Sequence, residues 1–262
     1  MQNGPSLLSD EELICYNRDG MIPGPGETEG AFLQRVSVMQ ALAGERQIPP
    51  AHLEWTRLHV QELYGAVPRY LPVFYSNKSL PFWQGGVSWV EGGVVSIQLR
   101  KGFAKGSCLG YSREELLSHE AVHALRGAFE EMRFEEVFAY LTSEKRWRRV
   151  LGPMIQSPWE VWPFLLALVL GLFFPLGTWI AIAWLGAGFV RLARVHWTLR
   201  RAASHLNEVL GDVKKTRALL FRLTDREIAL FAKKGEDLLA YAAKQTELRW
   251  RLLRLVCGLS NS

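Results

Sequence analysis

Two histidines four residues apart, His119 and His123, enclose a glutamate and carry the clearest chemistry in this chain. On one α-helix, positions i and i+4 share a face, so both imidazoles can bind the same zinc ion. Glu120 then lies beside a zinc-bound water, whose pKa the cation lowers toward neutrality. A carboxylate in that place accepts a proton from the water during attack on a carbonyl and passes it to the leaving amine. The pentapeptide 119–123 therefore predicts zinc-dependent hydrolysis of peptide bonds.

The residues before the pentapeptide predict the helix that it needs. Ser112 followed three residues later by Glu115 has the pattern of a capping box, so a helix should begin near Arg113. Glu114, Glu115 and Arg126 make this helix too polar for a bilayer interior, which argues against the intramembrane proteases that carry the same pentapeptide. The helix is expected to belong to a water-facing domain.

A catalytic zinc usually takes three protein ligands and leaves its fourth position to water, so a third ligand is expected downstream. If the helix ran on unbroken, Glu136 would lie about 20 Å from His123 along the axis. Gly127 is expected to adopt the left-handed conformation that ends a helix, so that the chain folds back from about residue 130. The candidate ligands on the returning segment are Glu130, Glu131, Glu135 and Glu136.

The returning segment resembles a known group. Glu136-Val137-Phe138-Ala139 is similar to the Glu-x-x-Ala element of gluzincins, the thermolysin-like zinc metallopeptidases. The resemblance, which covers residues 112–143, implies a zincin-like catalytic domain with His119, His123 and Glu136 as zinc ligands and Glu120 as general base. Glu135 is the main rival for the third ligand. Tyr140 stands where the family commonly has an aspartate that hydrogen-bonds a ligand histidine.

The residues around this element predict an α+β catalytic domain over residues 1–150. Residues 87–90 and 94–99 read as a β-hairpin with one buried face, residues 71–76 as a third strand, and residues 31–43 and 50–64 as helices. A strand beside the active-site helix either pairs with extended substrate or serves only as structure.

The composition changes sharply after the predicted catalytic domain. No charged residue occurs from Val161 to Val190, and this run exceeds the roughly 20 residues that cross a bilayer. We therefore predict a membrane segment at residues 159–190. As one helix the run would be about 45 Å long, well over a hydrocarbon core of about 30 Å. Pro175-Leu176-Gly177 lies near its middle and favours a hairpin of two short or re-entrant helices over one kinked span.

A charged region at residues 197–262 is predicted to be helical. Thr224 and Glu227 form a second capping-box pattern that should open a helix. The last segment, residues 247–259, is expected either to lie on an anionic membrane surface or to pack on the catalytic domain. Its arginines, residues 249, 251 and 254, are expected to form a solvated face.

Charge and cysteine content indicate the compartment and the partners. Arginines and lysines flank both ends of the apolar run, so both flanks are expected on the cytoplasmic side. The net charge of +5 owes much to these flanks, and nucleic acid is not expected as a partner. Three widely spaced cysteines give no disulfide framework and suit a reducing compartment.

These patterns together predict an integral membrane zinc metallopeptidase that acts on a protein or peptide and faces the cytoplasm. The alternative is a catalytically inactive membrane scaffold with a structural metal site, whose helical tail recruits a partner. The oligomeric state is not readable from the sequence.

Overall fold

The structure, a computed structural model, describes residues 7–43, 48–91, 94–155, 160–233 and 235–259. It is an α+β fold, mostly helical, with a small sheet and one long apolar helix. The helices of the described residues are α1 Asp10–Arg18, α2 Glu29–Leu42, α3 Ala51–Tyr64, α4 Arg113–Leu125, α5 Glu135–Leu141, α6 Arg146–Leu151, α7 Val161–Gly171, α8 Pro175–Leu210, α9 Val213–Leu220, α10 Asp225–Phe231, α11 Leu238–Lys244 and α12 Leu248–Cys257. The strands are β1 Val73–Tyr75, β2 Gly86–Glu91, β3 Val94–Leu99, β4 Ser107–Cys108 and β5 Tyr111–Ser112.

The main sheet contains the predicted hairpin and the predicted third strand. Its order is β1-β3-β2, with β1 parallel and β2 antiparallel to β3. Val95, Ile97 and Leu99 of β3 are buried, as their alternation with polar residues predicts. The turn residues Gly92 and Gly93 lie outside the described residues. Strand β2 is an edge of this sheet and lies beside α4.

Helix α4 begins and ends close to where the sequence predicts. The Ser112 hydroxyl accepts a hydrogen bond from the Glu115 amide at 3.1 Å, and this cap fixes the start at Arg113. The prediction for Gly127 was wrong, because its backbone is not left-handed; φ is positive instead at Glu130, where it is 52°. Gly127 is needed for a close approach: a Cβ there would lie 2.8 Å from a methyl group of Val95.

One hydrophobic core joins the N-terminal and C-terminal parts of the described chain. The rings of Tyr64 and Phe221 stack at 4.1 Å, and the buried Arg222 donates to Asn17 and to the Tyr64 carbonyl, each at 2.8 Å. Of the two arrangements expected for the last segment, the structure has the packed one. Helix α12 contacts α1, and its Arg251 bonds to Asp10 at 2.6 Å.

The expectation of a solvated arginine face on α12 was wrong for Arg249. This guanidinium is buried and pairs with the buried carboxylate of Glu227, with both of its Nη atoms within 2.9 Å of the carboxylate oxygens. The Trp250 indole donates to the same carboxylate at 2.7 Å. Glu227 also completes the predicted capping box with Thr224 at the start of α10. These hydrogen bonds offset part of the cost of burying the two charges.

The apolar run folds as two packed helices, α7 and α8, with a break at residues 172–174. Pro175 begins α8, a position that tolerates its missing N–H. Gly177 lets the two helices approach closely, since a Cβ there would lie 2.6 Å from the Leu170 carbonyl carbon. At the open end, Glu160 and Arg191 form an ion pair at 2.7 Å. Among the described residues, Pro175–Leu210 is the one helix long and apolar enough to cross a membrane, by length and composition.

Candidate metal centre

Helices α4 and α5 bring three predicted ligands together. His119 and His123 lie one turn apart on α4, and their Nε2 atoms are 3.2 Å apart. Glu136 lies in the first turn of α5. Its Oε2 is 3.8 Å from His119 Nε2, and its Oε1 is 3.5 Å from His123 Nε2. One ligand atom from each residue can be chosen so that all lie within 4.8 Å of one another. We call His119, His123 and Glu136 the metal cluster.

The spacing of the metal cluster fits a small tetrahedral cation. Two ligands at about 2.0–2.1 Å from zinc, separated by a tetrahedral angle, lie about 3.3 Å apart. The two imidazole nitrogens, 3.2 Å apart, match that value, and each of them has one of the two Glu136 oxygens 3.5–3.8 Å away. Two imidazole nitrogens and one carboxylate oxygen are also a donor set that zinc accepts in catalytic sites. The residues present therefore fit a zinc ion.

Glu135 takes a different part from that of third ligand. Its Oε1 lies 2.7 Å from His123 Nδ1, on the side of the ring away from the metal cluster. A carboxylate in this place fixes the tautomer of a ligand histidine and turns Nε2 toward the ion. Glu135, five residues before Tyr140 on α5, is the carboxylate that bonds to a histidine of the cluster here. The two adjacent glutamates thus face different nitrogens of His123.

A buried arginine connects Glu135 to the C-terminal part of the chain. The Arg126 side chain has no exposed surface, and its Nε lies 3.7 Å from Glu135 Oε2. Its Nη1 donates to the Phe221 carbonyl oxygen. Its guanidinium also lies 4.4 Å from the centre of the Phe129 ring. Burial lowers the pKa of Arg126, and the neighbouring carboxylates partly offset that effect. This arrangement places a buried positive charge beside Glu135.

Glu120 points toward the sheet side of the cleft and is held by β2. The Ser88 hydroxyl lies 3.0 Å from Glu120 Oε2 and 2.9 Å from the Glu120 main-chain oxygen, so it donates to the residue from the adjacent strand. Burial raises the pKa of Glu120, and the nearby His123 and the Ser88 hydrogen bonds lower it in part. A carboxylate with a raised pKa is a stronger proton acceptor than a solvated one.

Protons and a cation compete for the metal cluster. Burial lowers the pKa of His119 well below its usual range, and the neighbouring His123 lowers it further. Burial also lowers the pKa of His123, but Glu135, Glu136 and Glu120 outweigh it and raise that pKa to about 9. Burial raises the pKa of Glu136 to about 7. Zinc requires neutral imidazoles and an ionised carboxylate, so its binding must release protons near neutral pH.

Tyr140 contacts the metal cluster directly. Its ring packs edge-to-face on the His119 ring, with centroids 4.7 Å apart. Burial raises the pKa of Tyr140, and Tyr111 and Glu136 raise it further, so its hydroxyl stays protonated and remains a donor. The Tyr111 ring is covered instead by the Arg148 guanidinium, whose central carbon lies 3.7 Å from the centre of the ring. Both tyrosines line the same cleft.

The metal cluster opens into a cleft of about 1300 Å³. One wall is the edge strand β2, and the floor is formed by the α4 and α5 residues described above. Val161, Trp162 and Leu165 of the apolar helix α7 also line the cleft. A volume of this size can take several residues of an extended peptide.

Sequence reasoning missed Ser88 and Arg126 as parts of the site. Neither residue belongs to a motif, and their partners lie 32 and 95 residues away along the chain. The pairing of Glu135 with His123 had one signal in the sequence, because adjacent helical residues point about 100° apart and two adjacent glutamates cannot both face the same ion.

Comparison with family models, with curated protein sequences and with solved structures finds no match to this chain.

Proposed function

We propose that this protein is a membrane-anchored zinc metallopeptidase of gluzincin type with a zincin-like catalytic domain. The observation that carries the proposal is the convergence of His119, His123 and Glu136, with one ligand atom of each within 4.8 Å of the others, in a peptide-sized cleft. The neighbouring Glu120 adds a carboxylate with a raised pKa. A structural zinc site has four protein ligands, whereas this cluster offers three and leaves room for water.

The residues divide the work of hydrolysis. His119, His123 and Glu136 hold the zinc, which when bound lowers the pKa of a water and polarises the substrate carbonyl. Glu120 takes the proton of the attacking water and gives it to the leaving amine. Glu135 keeps the Nδ1 proton of His123 in place, so that Nε2 faces the cluster.

Two features of the cleft suit a polypeptide substrate. The edge strand β2 lines the cleft through Val87, Ser88 and Val90, and an extended peptide can pair with such an edge. The protonated hydroxyl of Tyr140, beside His119, is our candidate donor to the oxyanion that develops on the scissile carbonyl.

The apolar hairpin is the proposed membrane anchor. Helix α7, with 11 residues, is about 16 Å long, which is shorter than the roughly 30 Å hydrocarbon core. Helix α8 packs beside α7 and returns to Arg191, which is tied to Glu160 at the base of α7, so the hairpin enters and leaves on one side. Basic residues on both flanks support the cytoplasmic side.

Peptide hydrolysis by the purified full chain tests the proposal. Wild-type protein in detergent, loaded with zinc, is incubated with a mixed peptide library, and the products are identified by mass spectrometry. Glu120→Gln should keep one zinc per chain, because Glu120 is not a ligand, and should lose about 10²–10⁴-fold in activity, because the proton acceptor is gone.

Glu54→Gln is the matched control, since Glu54 is exposed on α3 and away from the cleft. It should retain both zinc and activity. Equal hydrolysis by wild type and Glu120→Gln would refute the mechanism. Stoichiometric zinc with no hydrolysis by the wild type would support the non-catalytic scaffold with a structural metal site.

A further inference from the structure

We infer that the cleft opens at the bilayer surface and that its substrates are polypeptide segments next to a membrane anchor. This inference rests on the proposed peptidase function and names its substrate class. It starts from the lining of the cleft, which contains both the metal cluster and Val161, Trp162 and Leu165 of α7. The proposed catalytic floor and the proposed membrane anchor thus share one cavity.

The mouth of the cleft carries an exposed aromatic cluster, formed by Phe82, Trp83 and Trp162. Phe82 is 80 % exposed, Trp83 is 49 % exposed and Trp162 is 53 % exposed. Their rings contact one another edge-to-face: Phe82 and Trp83 at 4.6 Å, and Trp83 and Trp162 at 6.1 Å between centroids. Exposed aromatic side chains in contact with one another are costly in water and mark a surface that is covered by something else.

The exposure of Phe82 is imposed by the backbone around it. Arg100 donates to the Gln84 carbonyl at 3.0 Å and to the Pro81 carbonyl, and its amide donates to the Gly85 carbonyl at 2.8 Å. These bonds hold the segment 81–85 against the end of β3. Phe82 is therefore presented outward by a fixed turn.

The level of the bilayer surface follows from the base of the hairpin. The Glu160–Arg191 ion pair is the first charged pair below the uncharged run, so it marks the boundary between lipid and water. Trp162 lies two residues beyond Glu160 on α7, at the depth where tryptophans gather in membrane proteins. Because Trp83 contacts Trp162, the aromatic cluster lies at the same depth. The bilayer surface is the occupant that covers it.

The position of the cleft at the bilayer surface limits which peptide bonds can reach the metal cluster. A peptide bond can reach the metal cluster when its chain runs along the membrane surface into the mouth beside Trp162. Segments that leave the bilayer next to a transmembrane helix are held at that level, and their local concentration on one vesicle is about millimolar. At about 10 µM total peptide, anchoring should raise the rate of cleavage roughly 100-fold over the same peptide in solution.

The test uses the full-length protein in vesicles of phosphatidylcholine and phosphatidylglycerol. The probe is the best-cleaved library peptide, joined through glycine-serine linkers of about 5, 10, 20 and 30 residues to one synthetic transmembrane helix. We expect the 5-residue and 10-residue linkers to be cleaved roughly 100-fold faster than the unanchored peptide. Cleavage only with linkers of about 20 residues or more, or equal cleavage of the unanchored peptide, would overturn the inference.

A second readout does not depend on catalysis. A nitroxide attached at Phe82→Cys, in a background without the native cysteines, should be shielded from a water-soluble nickel complex and accessible to oxygen. A nitroxide at Leu58→Cys is the matched control, since Leu58 is 62 % exposed on α3 and does not line the cleft; it should be accessible to the nickel complex. Equal accessibility at the two positions would overturn the placement at the bilayer. Failure of the wild type to cleave any peptide would overturn the proposed function and the substrate class, and it would leave the nitroxide result unaffected.

Discussion

The two adjacent glutamates of α5 should differ sharply in what they contribute to zinc affinity. Glu136 places its carboxylate within 3.5–3.8 Å of both ligand nitrogens of the metal cluster, whereas Glu135 bonds to Nδ1 of His123 at 2.7 Å. Glu136→Ala would remove one of the three proposed zinc ligands. Removing Glu135 leaves all ligands present but frees one of them to turn.

The magnitudes follow from these positions. Structural zinc sites bind with about 10–16 kcal/mol, or about 2.5–4 kcal/mol for each of four ligands, so Glu136→Ala should weaken zinc binding about 10²–10³-fold. Loss of a residue that orients a ligand costs about 10–100-fold, and this is the expectation for Glu135→Ala. Glu135→Gln keeps an acceptor for His123 Nδ1 and should lose less than Glu135→Ala.

Zinc affinity is measured by competition with a chromogenic chelator at one fixed pH. Glu54→Gln is the control for removal of a carboxylate, and each variant is accepted only if its circular dichroism matches that of the wild type. Glu135→Ala also leaves the buried Arg126 without its neighbour at 3.7 Å, so its melting temperature should fall more than that of Glu136→Ala. Equal zinc affinity in Glu135→Ala and Glu136→Ala would refute the assignment of the two residues.

Three further predictions concern the membrane anchor and the shared core. Cysteines introduced at Glu62 and Lys244, both exposed, should react with a membrane-impermeant reagent in intact cells only after permeabilisation; reaction of one alone would mean a single span. Gly177→Leu should lower the free energy of unfolding by about 1–3 kcal/mol, because the new side chain forces α7 and α8 apart. Gly186→Leu is the control, since an added Cβ there meets nothing within 4 Å, and it should leave the thermal unfolding unchanged. Equal effects of the two substitutions would contradict the close packing of α7 and α8. Burial raises the pKa of Glu227, but hydrogen bonds from its arginine and tryptophan partners outweigh burial and hold that pKa below its usual value. The carboxylate therefore stabilises the fold above its unfolded pKa of about 4.5, and this contribution is lost as pH falls through the lower folded pKa. Glu227→Gln should lower the free energy of unfolding by about 3–5 kcal/mol at pH 7 and should flatten the loss of stability between about pH 5 and pH 3. An acid unfolding profile unchanged in this variant would contradict the pairing of Glu227 with Arg249.

Local hydrogen bonding explains which parts of the fold are readable from the sequence. The starts of α4 and α10 are fixed by Ser112 and Thr224, whose side chains cap amides three residues ahead. Strand β3 is readable because one face of it meets the core. Each of these signals lies within a few residues of the structure that it specifies.

The parts that the sequence did not predict depend on contacts between distant segments. Helix α4 does end just before Gly127, but Gly127 is not left-handed as expected, and its small size is required by Val95 on β3. Arg249 was expected in solvent, and Glu227, 22 residues away, makes its burial possible. Ser88 reaches Glu120 from a neighbouring strand. No spacing within either segment encodes such a pairing, so each requires the three-dimensional structure.

X-ray absorption at the zinc edge of the purified full-length protein tests the central claim most directly. The account predicts one zinc per chain, bound by two imidazole nitrogens and by oxygen from Glu136 and water, at about 2.0–2.1 Å and without sulfur. His119→Ala should remove the outer-shell scattering of one imidazole. A sulfur shell at about 2.3 Å, a fully protein-ligated ion, or a zinc environment unchanged in His119→Ala would contradict it.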